Sequence, residues 1–297
     1  MTTSPARPRI AIVGSGLVAA ELRSFSATAP FAGYAFSSYA TDDVLARGLP
    51  EDTAAVILSG TRSADVVSTI PYDGAAILDM SGTYRGSPDW VYGLRELPGA
   101  MFRIRGARRV ANPGCIATAA ILALRPLTTM LMGSGQIYID AVGGRTMAGS
   151  APNQISRITS LETPHPHIAE IAAALGTTRQ VWLYPKVDPS FPRGIRVAIA
   201  APTISAVAAI ASWRTAYGML PDIQISETPI RSIPSDQMAN KPGAWLSAIP
   251  HPQGGCLLVA CIDNLLKGAA ETALYNVVDM LRPPIVPHRR FSEYAYS

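Results

Sequence analysis

The sequence predicts an α/β protein, with a doubly wound parallel sheet in its first third, an α+β unit after it and a closing helix. Three observations carry this. Short apolar runs recur through the first third with helix-length segments between them. A glycine turn follows the first run directly. Beyond Cys115 the runs lengthen, alternate in polarity and crowd together.

"RIAIV" (Arg9–Val13), "YAFSS" (Tyr34–Ser38), "AAVIL" (Ala54–Leu58) and "AAILDM" (Ala75–Met80) read as buried parallel strands, and a further strand ends at Val110–Asn112. The spacers are long enough for crossover helices on both faces. In the second part, "QIYIDAV" (136–142), "QVWLYP" (180–185), "GIRVAIAAP" (194–202) and "GCLLVACID" (255–263) read as strands. "HIAEIAAALG" (167–176) and "AVAAIASWRTAYG" (206–218) read as helices packed on one side. "NLLKGAAETALYNVVDML" (264–281) has the three- and four-residue apolar spacing of one long amphipathic helix, while 221–243, rich in Pro and Ser, and the tail after Arg282 read as irregular.

With 297 residues, 48% of them hydrophobic, the chain can bury two modest cores. Its apolar runs are broken by Gly, Pro or Arg, so no membrane span is expected, and "MTTSPARPRI" lacks the apolar centre of a signal peptide. Three widely spaced cysteines suggest neither a disulfide framework nor a metal site, so no metal and a reducing, cytoplasmic setting are expected. A net charge of +4 is gathered most visibly in "FRIRGARRV", with Arg103, Arg105, Arg108 and Arg109. The cluster is either a solvated edge or a docking patch for an acidic partner or anionic substrate; without an aromatic-rich basic stripe or zinc-finger spacing, nucleic acid is not expected.

"IAIVGSGLVAAEL" opens a helix at about Leu17 or Val18. Gly14 permits the tight turn, and Gly16 lets the N–H groups of Ser15, Leu17 and Val18 approach a pyrophosphate at the helix N-terminus. Ala19 takes the third small position. NAD sites usually carry Asp or Glu at the end of the second strand. Here that strand ends in Ser37, Ser38 and Tyr39, with Asp42 and Asp43 late and Arg47 and Arg62 as candidate neighbours, a pattern that favours NADP(H).

Cys115 follows "VANPG" and begins a helix over 116–124. Unpaired N–H groups and the helix dipole favour a thiolate there. Gly114 would let a substrate carbonyl come close, and Asn112 could orient it or donate to an oxyanion. Cys256 and Cys261 sit inside an apolar strand and read as packing. A nucleophilic thiol needs a proton partner, and of four histidines His165 and His167 stand together ahead of a helix, with Glu170 in its first turn.

"VYGLREL" (91–97), "VANPGCIATAAILALRPL" (110–127), "HPHIAEI" (165–171), "RGI" (193–195) and "IDNLLKGAAETALYN" (262–276) together resemble the N-acetyl-γ-glutamyl-phosphate reductases, within the wider aspartate-semialdehyde dehydrogenase group. The resemblance covers most of the chain. It implies an NADP-binding Rossmann-type domain, 1–114 plus 264–297, and an inserted α+β domain, 115–263, for catalysis and assembly as a homodimer or homotetramer. It implies Cys115 as nucleophile and His165, the first His of the H-x-H-x-x-E-I motif, as acid/base. Asn264, Lys267 and Gly268 would lie beside the cofactor. "LDMSGTYR" (78–85) would offer Ser81 and Arg85 as anion contacts, the serine on the cofactor side.

The reaction so implied reduces an acyl phosphate to a semialdehyde through a thioester, in amino-acid (arginine) biosynthesis. Arg145 and Arg193 are the candidate phosphate or carboxylate forks, with His167 and Glu170 also beside the substrate. The family's Ser-Gly-x-Ser-Gly loop has become "DAVGGRTMAGSAP", keeping Gly143, Gly144 and Arg145. That change and the basic cluster motivate a second reading, a reductase of a glutamyl or aminoadipyl phosphate on a small acidic carrier protein. A non-catalytic NADP-binding paralogue is the third.

Overall fold

The structure is a computed structural model that describes residues 6–131, 135–148, 157–158 (backbone) and 163–284. The end of the 140–152 loop and the tail from 285 onward lie outside the described residues.

Six strands build the first sheet: β1 (Arg9–Val13), β2 (Ala35–Tyr39), β3 (Thr53–Leu58), β4 (Ala76–Asp79), β5 (Val91–Tyr92) and β6 (Arg109–Ala111). Their order is β2-β1-β3-β4-β6-β5, and every neighbouring pair is parallel. The strands are apolar on both faces because both are covered. Ile10 and Ile12 pack with Leu22 of α1 (Leu17–Ser26), while Ala11 and Val13 pack with Val44 of α2 (Thr41–Arg47) and Val66 of α3 (Ser63–Thr69). The expected doubly wound sheet is therefore present. Strand limits differ from the expected ones by a residue or two. The two-residue β5 was not anticipated, because a pair of residues has no period to read. A short α4 (Ala100–Ile104) leads into β6.

The chain leaves this sheet after β6 and enters α5 (Cys115–Leu124), whose residues from Ile116 on are all buried. A helix apolar all round needs cover all round. The second sheet and α6 (Pro166–Leu175) supply it. That sheet holds β7 (Ile137–Gly143), β8 (Arg157–Ile158), β9 (Val181–Val187), β10 (Ile195–Ala201), β11 (Ile223–Ile225), β12 (Ala244–Pro250) and β13 (Cys256–Ile262). The order is β11-β12-β13-β10-β7-β9-β8, mixed in direction and antiparallel through its centre. Helix α7 (Ala206–Tyr217) joins α5 and α6 on the same face, as expected for an α+β unit. The outer face is covered at one end by Ile233 and Met238, which pack on Val259 and Cys261. At its other end Tyr138, Trp182 and Tyr184 stand exposed in a stacked row.

Two expectations need correction here. The stretch read as irregular contains β11, and β12 comes next; both are held by pairing with distant strands rather than by a strong local pattern. The expected single closing helix is instead a π turn, Leu266–Ala270, that runs into α8 (Glu271–Met280). Helix α8 packs on the first sheet through Ala273, Leu274 and Val277, so the chain returns to where it began.

Trp213 of α7 is fully buried and donates its indole N–H to the Ala123 carbonyl at the end of α5, 2.9 Å away. Trp213→Ala should lower unfolding free energy by about 3–5 kcal/mol through the lost contacts and the void. Urea unfolding followed by circular dichroism measures it; a loss within about 1 kcal/mol would mean the helix layer is not held at this point.

Candidate active site

The carboxyl ends of β1, β3 and β4 all point to one crevice, the place where open α/β sheets bind ligands. At the end of β1, Gly14 adopts φ +135° and donates to the Tyr39 carbonyl at 3.0 Å. A side chain there would be strained and would overlap the Ser59 hydroxyl. Gly16 then caps α1 without any side-chain capping bond, and nothing stands within 4 Å of where its Cβ would lie. The first N–H groups of α1 therefore face open space. Ser15, Gly16 and Leu17 are exposed and Val18 partly so, as a phosphate cradle requires.

A cavity of about 430 Å³ begins at Gly16–Val18 and Ser59. Its far side is formed by Cys115, Gly114 and His167, and its rim by Thr146, Asn264 and Gly268. The glycine turn and the cysteine, 99 positions apart in sequence, thus open onto one space.

Two missing side chains make room at this wall, Gly268 for Cys115 and Gly114 for His167 and Arg85. A Cβ on Gly268 would lie 2.6 Å from the Cys115 Cβ. One on Gly114 would overlap the His167 ring and come 2.7 Å from Arg85 Nη1. The loop before Cys115 is fixed by Glu170, which accepts from the Gly114 N–H and from the Tyr92 hydroxyl, each at 2.7 Å. Arg85 completes this wall, donating to Glu170 at 3.2 Å and to the Asn112 carbonyl at 2.9 Å. Burial raises the Glu170 carboxyl's affinity for a proton, against the pull of Arg85 and the Gly114 N–H.

The expected resting thiolate is corrected. Burial pushes the Cys115 thiol up to about 11, and the N–H of Ile116 and the charge of Arg85 only partly offset it. The helix N-terminus acts in the anticipated direction, but desolvation is larger. His167 is likewise driven down to about 3, by burial first and then by His165 and Arg85. Thiol and imidazole both rest neutral.

The two histidines exchange their expected positions. His165 caps α6, its Nδ1 accepting from the His167 N–H at 3.2 Å, and it does not line the cavity. His167, one turn inward, does. Its Nδ1 is buried without a hydrogen-bond partner among the described residues. The H-x-H spacing could not separate the two, because which ring faces inward depends on where the helix starts.

Several other expected residues are committed elsewhere. Arg193 is paired with Asp263, at 2.6 and 2.7 Å, and with Glu21 of α1, so it ties the two sheets together instead of facing a ligand. Arg145 donates to the Pro189 carbonyl at 2.8 Å, and Thr146 and Met147 take its place at the cavity. Lys267 is buried between Glu96 and Asp222 on the opposite side of the π turn from Gly268; burial opposes its charge, but these carboxylates and Glu271 outweigh it and raise its proton affinity. Ser81 bonds Asp79 and Thr83. Asn112 lines the cavity, but its amide bonds the Ala269 carbonyl at 3.5 Å and accepts from Asn276 at 3.1 Å, which makes it scaffold. Asn264, also lining the cavity, accepts from the Gly194 N–H at 2.9 Å and bonds Thr146. Ser37 and Ser38 stand at the end of β2, and Arg62 is held by Asp42 and Asp65.

The basic cluster is not a patch. Arg105 donates to the Pro283 carbonyl, Arg108 to Tyr72, and Arg109 lies buried across Tyr72 and Trp90. Arg103 alone of the four is fully exposed and unpaired, so the cluster does not form a continuous basic face for an acidic carrier protein. Among the described residues, no helix is long and apolar enough to cross a membrane, and no group of His, Cys, Asp and Glu could hold a metal. Tyr92, Glu21 and Asp263 were missed because each acts through a partner far away in sequence.

The family model for the semialdehyde dehydrogenase dimerisation domain matches residues 115–264. An N-acetyl-γ-glutamyl-phosphate reductase from Xanthomonas axonopodis pv. citri is 32% identical over 249 residues, 79% of this chain and 73% of that protein. One from Xylella fastidiosa is 33% identical over 79% of this chain and 69% of its own. Aspartate semialdehyde dehydrogenase II from Vibrio cholerae superposes with a TM-score of 0.71 at 16% identity, over 93% of this chain and 98% of that one. An aspartate semialdehyde dehydrogenase from Candida albicans, solved with NADP, gives 0.68 at 13% identity over the same shares. At those identities the structural likeness speaks for the fold alone.

The resting thiol sets a pH dependence. Because its proton is held to about 11, alkylation of Cys115 by iodoacetamide should accelerate roughly tenfold per pH unit from about 7 to 10. Mass-spectrometric rates at Cys115 test this, and a rate already level at neutral pH would mean that the thiolate pre-exists.

Proposed function

The chain belongs to the N-acetyl-γ-glutamyl-phosphate reductase family of oxidoreductases, and on that premise we propose that it reduces an acyl phosphate to the semialdehyde with NADPH. The substrate is N-acetyl-γ-glutamyl phosphate or a close relative, and phosphate is released. One observation carries the reading. The N-terminus of α1, Cys115 and His167 open onto the same cavity, so a thiol, an imidazole and a phosphate cradle serve one bound pair of reactants.

The residues suit a dinucleotide. Open N–H groups at Gly16–Val18 would hold its pyrophosphate, and Asn264, Gly268 and Ala269 border the end nearest the thiol. The end of β2 carries Ser37, Ser38 and Tyr39 and no carboxylate, which suits a 2′-phosphate. The division of the chain into 1–114 plus 264–297 for the cofactor and 115–263 for chemistry and assembly is part of the same proposal.

In the first step the Cys115 Sγ attacks the acyl carbon, and its proton passes to His167. The bond from that carbon to the phosphate oxygen breaks, phosphate leaves and a thioester remains on Cys115. The substrate's own negative charge favours the imidazolium that burial alone disfavours. When bound, the nicotinamide would supply a hydride to the thioester carbonyl carbon. Breaking of the carbon–sulfur bond then releases the aldehyde, and the sulfur recovers its proton from His167. Gly114, lacking a Cβ, lets His167 close on the turn that carries the thiol, and the N–H groups at the start of α5 face developing oxyanion charge. Glu170, with Tyr92 and Arg85, holds the loop that aims the thiol.

Assembly follows from the second sheet. We assign the exposed row Tyr138, Trp182 and Tyr184 to contact with a second copy of the chain, since it lies inside the stretch matched by the dimerisation-domain model.

Cys115→Ala should abolish acyl-phosphate-dependent NADPH oxidation and leave NADPH binding, read by fluorescence, within about twofold. Turnover retained by that variant would overturn the thioester route. Sedimentation should show a dimer or larger for the wild type and a monomer for Trp182→Asp with Tyr184→Asp. A wild-type monomer, or an unchanged double variant, would remove that face from assembly.

A further inference from the structure

A second cavity lies behind the wall that carries the catalytic loop. It encloses about 600 Å³ and shares Arg85 with the first cavity, while Glu170 and Tyr92 face into it from the wall itself. It runs along α5 and α6: Glu170 stands midway along α6, Leu175 and Gly176 at its end, and Arg125 directly follows α5. At about 1.5 Å rise per residue, Arg125 is about 15 Å along α5 from Cys115.

Three charged groups in this cavity have little to do. Among the described residues the Arg103 and Asp89 side chains have no hydrogen-bonding or ionic partner, and Arg125 has the Thr128 hydroxyl, at 3.3 Å, and the field of the Tyr217 phenol. The other two charges, Arg85 and Glu170, already bond each other. The lining also includes the apolar side chains of Trp90, Leu97 and Pro98. Trp90 is locked flat against Tyr84, ring centres 4.1 Å apart, so that surface is preformed. A ligand matching this set carries a carboxylate for Arg103 and Arg125, an ammonium for Asp89 and a short apolar body.

We propose that this cavity binds a free amino acid as an effector, and that its occupancy reaches Cys115 through Tyr92 and Glu170. The amino acid's carboxylate sits between Arg103 and Arg125, and its ammonium faces Asp89. The transmitting contact is the Tyr92 hydroxyl, which donates to the same Glu170 carboxylate that holds the Gly114 N–H. Displacing Tyr92 from the cavity side alters the amide next to the nucleophile. The site is independent of which acyl phosphate the enzyme reduces, because neither its charges nor its readout involves that substrate.

The test titrates the full chain with each proteinogenic L-amino acid, with acetate and methylammonium as single-charge controls, and follows tryptophan fluorescence. At least one amino acid should give a saturable change that is lost in Trp90→Phe, and neither control should reproduce it. Arg103→Ala and Arg125→Ala should each weaken that binding about tenfold, the effect of losing one charge-assisted hydrogen bond. Carboxymethylation of Cys115 should leave it intact. The bound amino acid should shift the Cys115 alkylation rate at least twofold, and Tyr92→Phe should erase the shift while binding persists. The proposal is overturned if no amino acid gives a saturable Trp90 signal, or if acetate serves as well. Binding that survives both arginine variants, or that carboxymethylation abolishes, also overturns it. An alkylation rate indifferent to the bound amino acid overturns the coupling.

Discussion

The buried carboxylate of Glu170 holding the amide of Gly114 is the contact on which the arrangement around Cys115 rests. A carboxylate this enclosed is unfavourable unless its oxygens are satisfied, and the Gly114 N–H, Tyr92 and Arg85 satisfy them. In return, the residue before Cys115 cannot drift. The contact also joins four separate stretches of chain: the loop after β4, β5, the turn before α5 and the middle of α6. Cys115 is therefore positioned by the agreement of both halves of the molecule, and His167 arrives on the helix that brings Glu170.

Much of this was legible in the sequence. The parallel strands, the glycine turn and the helix begun by Cys115 are written locally, in apolar runs, in residues that tolerate positive φ and in spacing. The direction in which long polar side chains turn was not legible. Arg193 has the planar fork a phosphate would want, but Asp263 and Glu21 take it, and neither carboxylate is marked as its partner by any local pattern. The four arginines of 103–109 looked like one cluster. Three of them are used on backbone carbonyls and aromatic rings because that segment lies across the edge of the first sheet rather than along a free face. His165 and His167 differ by two positions, and only the start of α6 at Pro166 decides that the second faces the thiol.

The neutral pair at the site has a physical logic. Enclosing a thiol and an imidazole penalises both charged forms, which is why one is pushed up and the other down. Such a pair by itself does little to water and oxidants, since the thiolate is the reactive form. On the proposed mechanism an anionic substrate beside His167 favours its imidazolium, so the proton acceptor is readied only when the cavity is occupied.

The π turn explains why the closing segment departs from a plain helix. Asp263, fully buried, accepts from the N–H groups of Leu265 and Leu266 at 2.9 Å each, while its carbonyl takes the Gly268 N–H five residues on. The Ala270 N–H reaches Leu265 in the same wide register. One extra residue per turn rotates the succeeding residues relative to an α-helix. Gly268 is thereby turned against Cys115, where only hydrogen fits, and Lys267 toward Glu96 and Asp222 on the other side. A sequence pattern with helical spacing throughout conceals this, because the apolar positions of α8 remain in phase with one another and only their phase relative to Asp263 has changed. The wide turn is thus how one segment closes the first sheet, leaves space beside the thiol and keeps its cation out of the cavity.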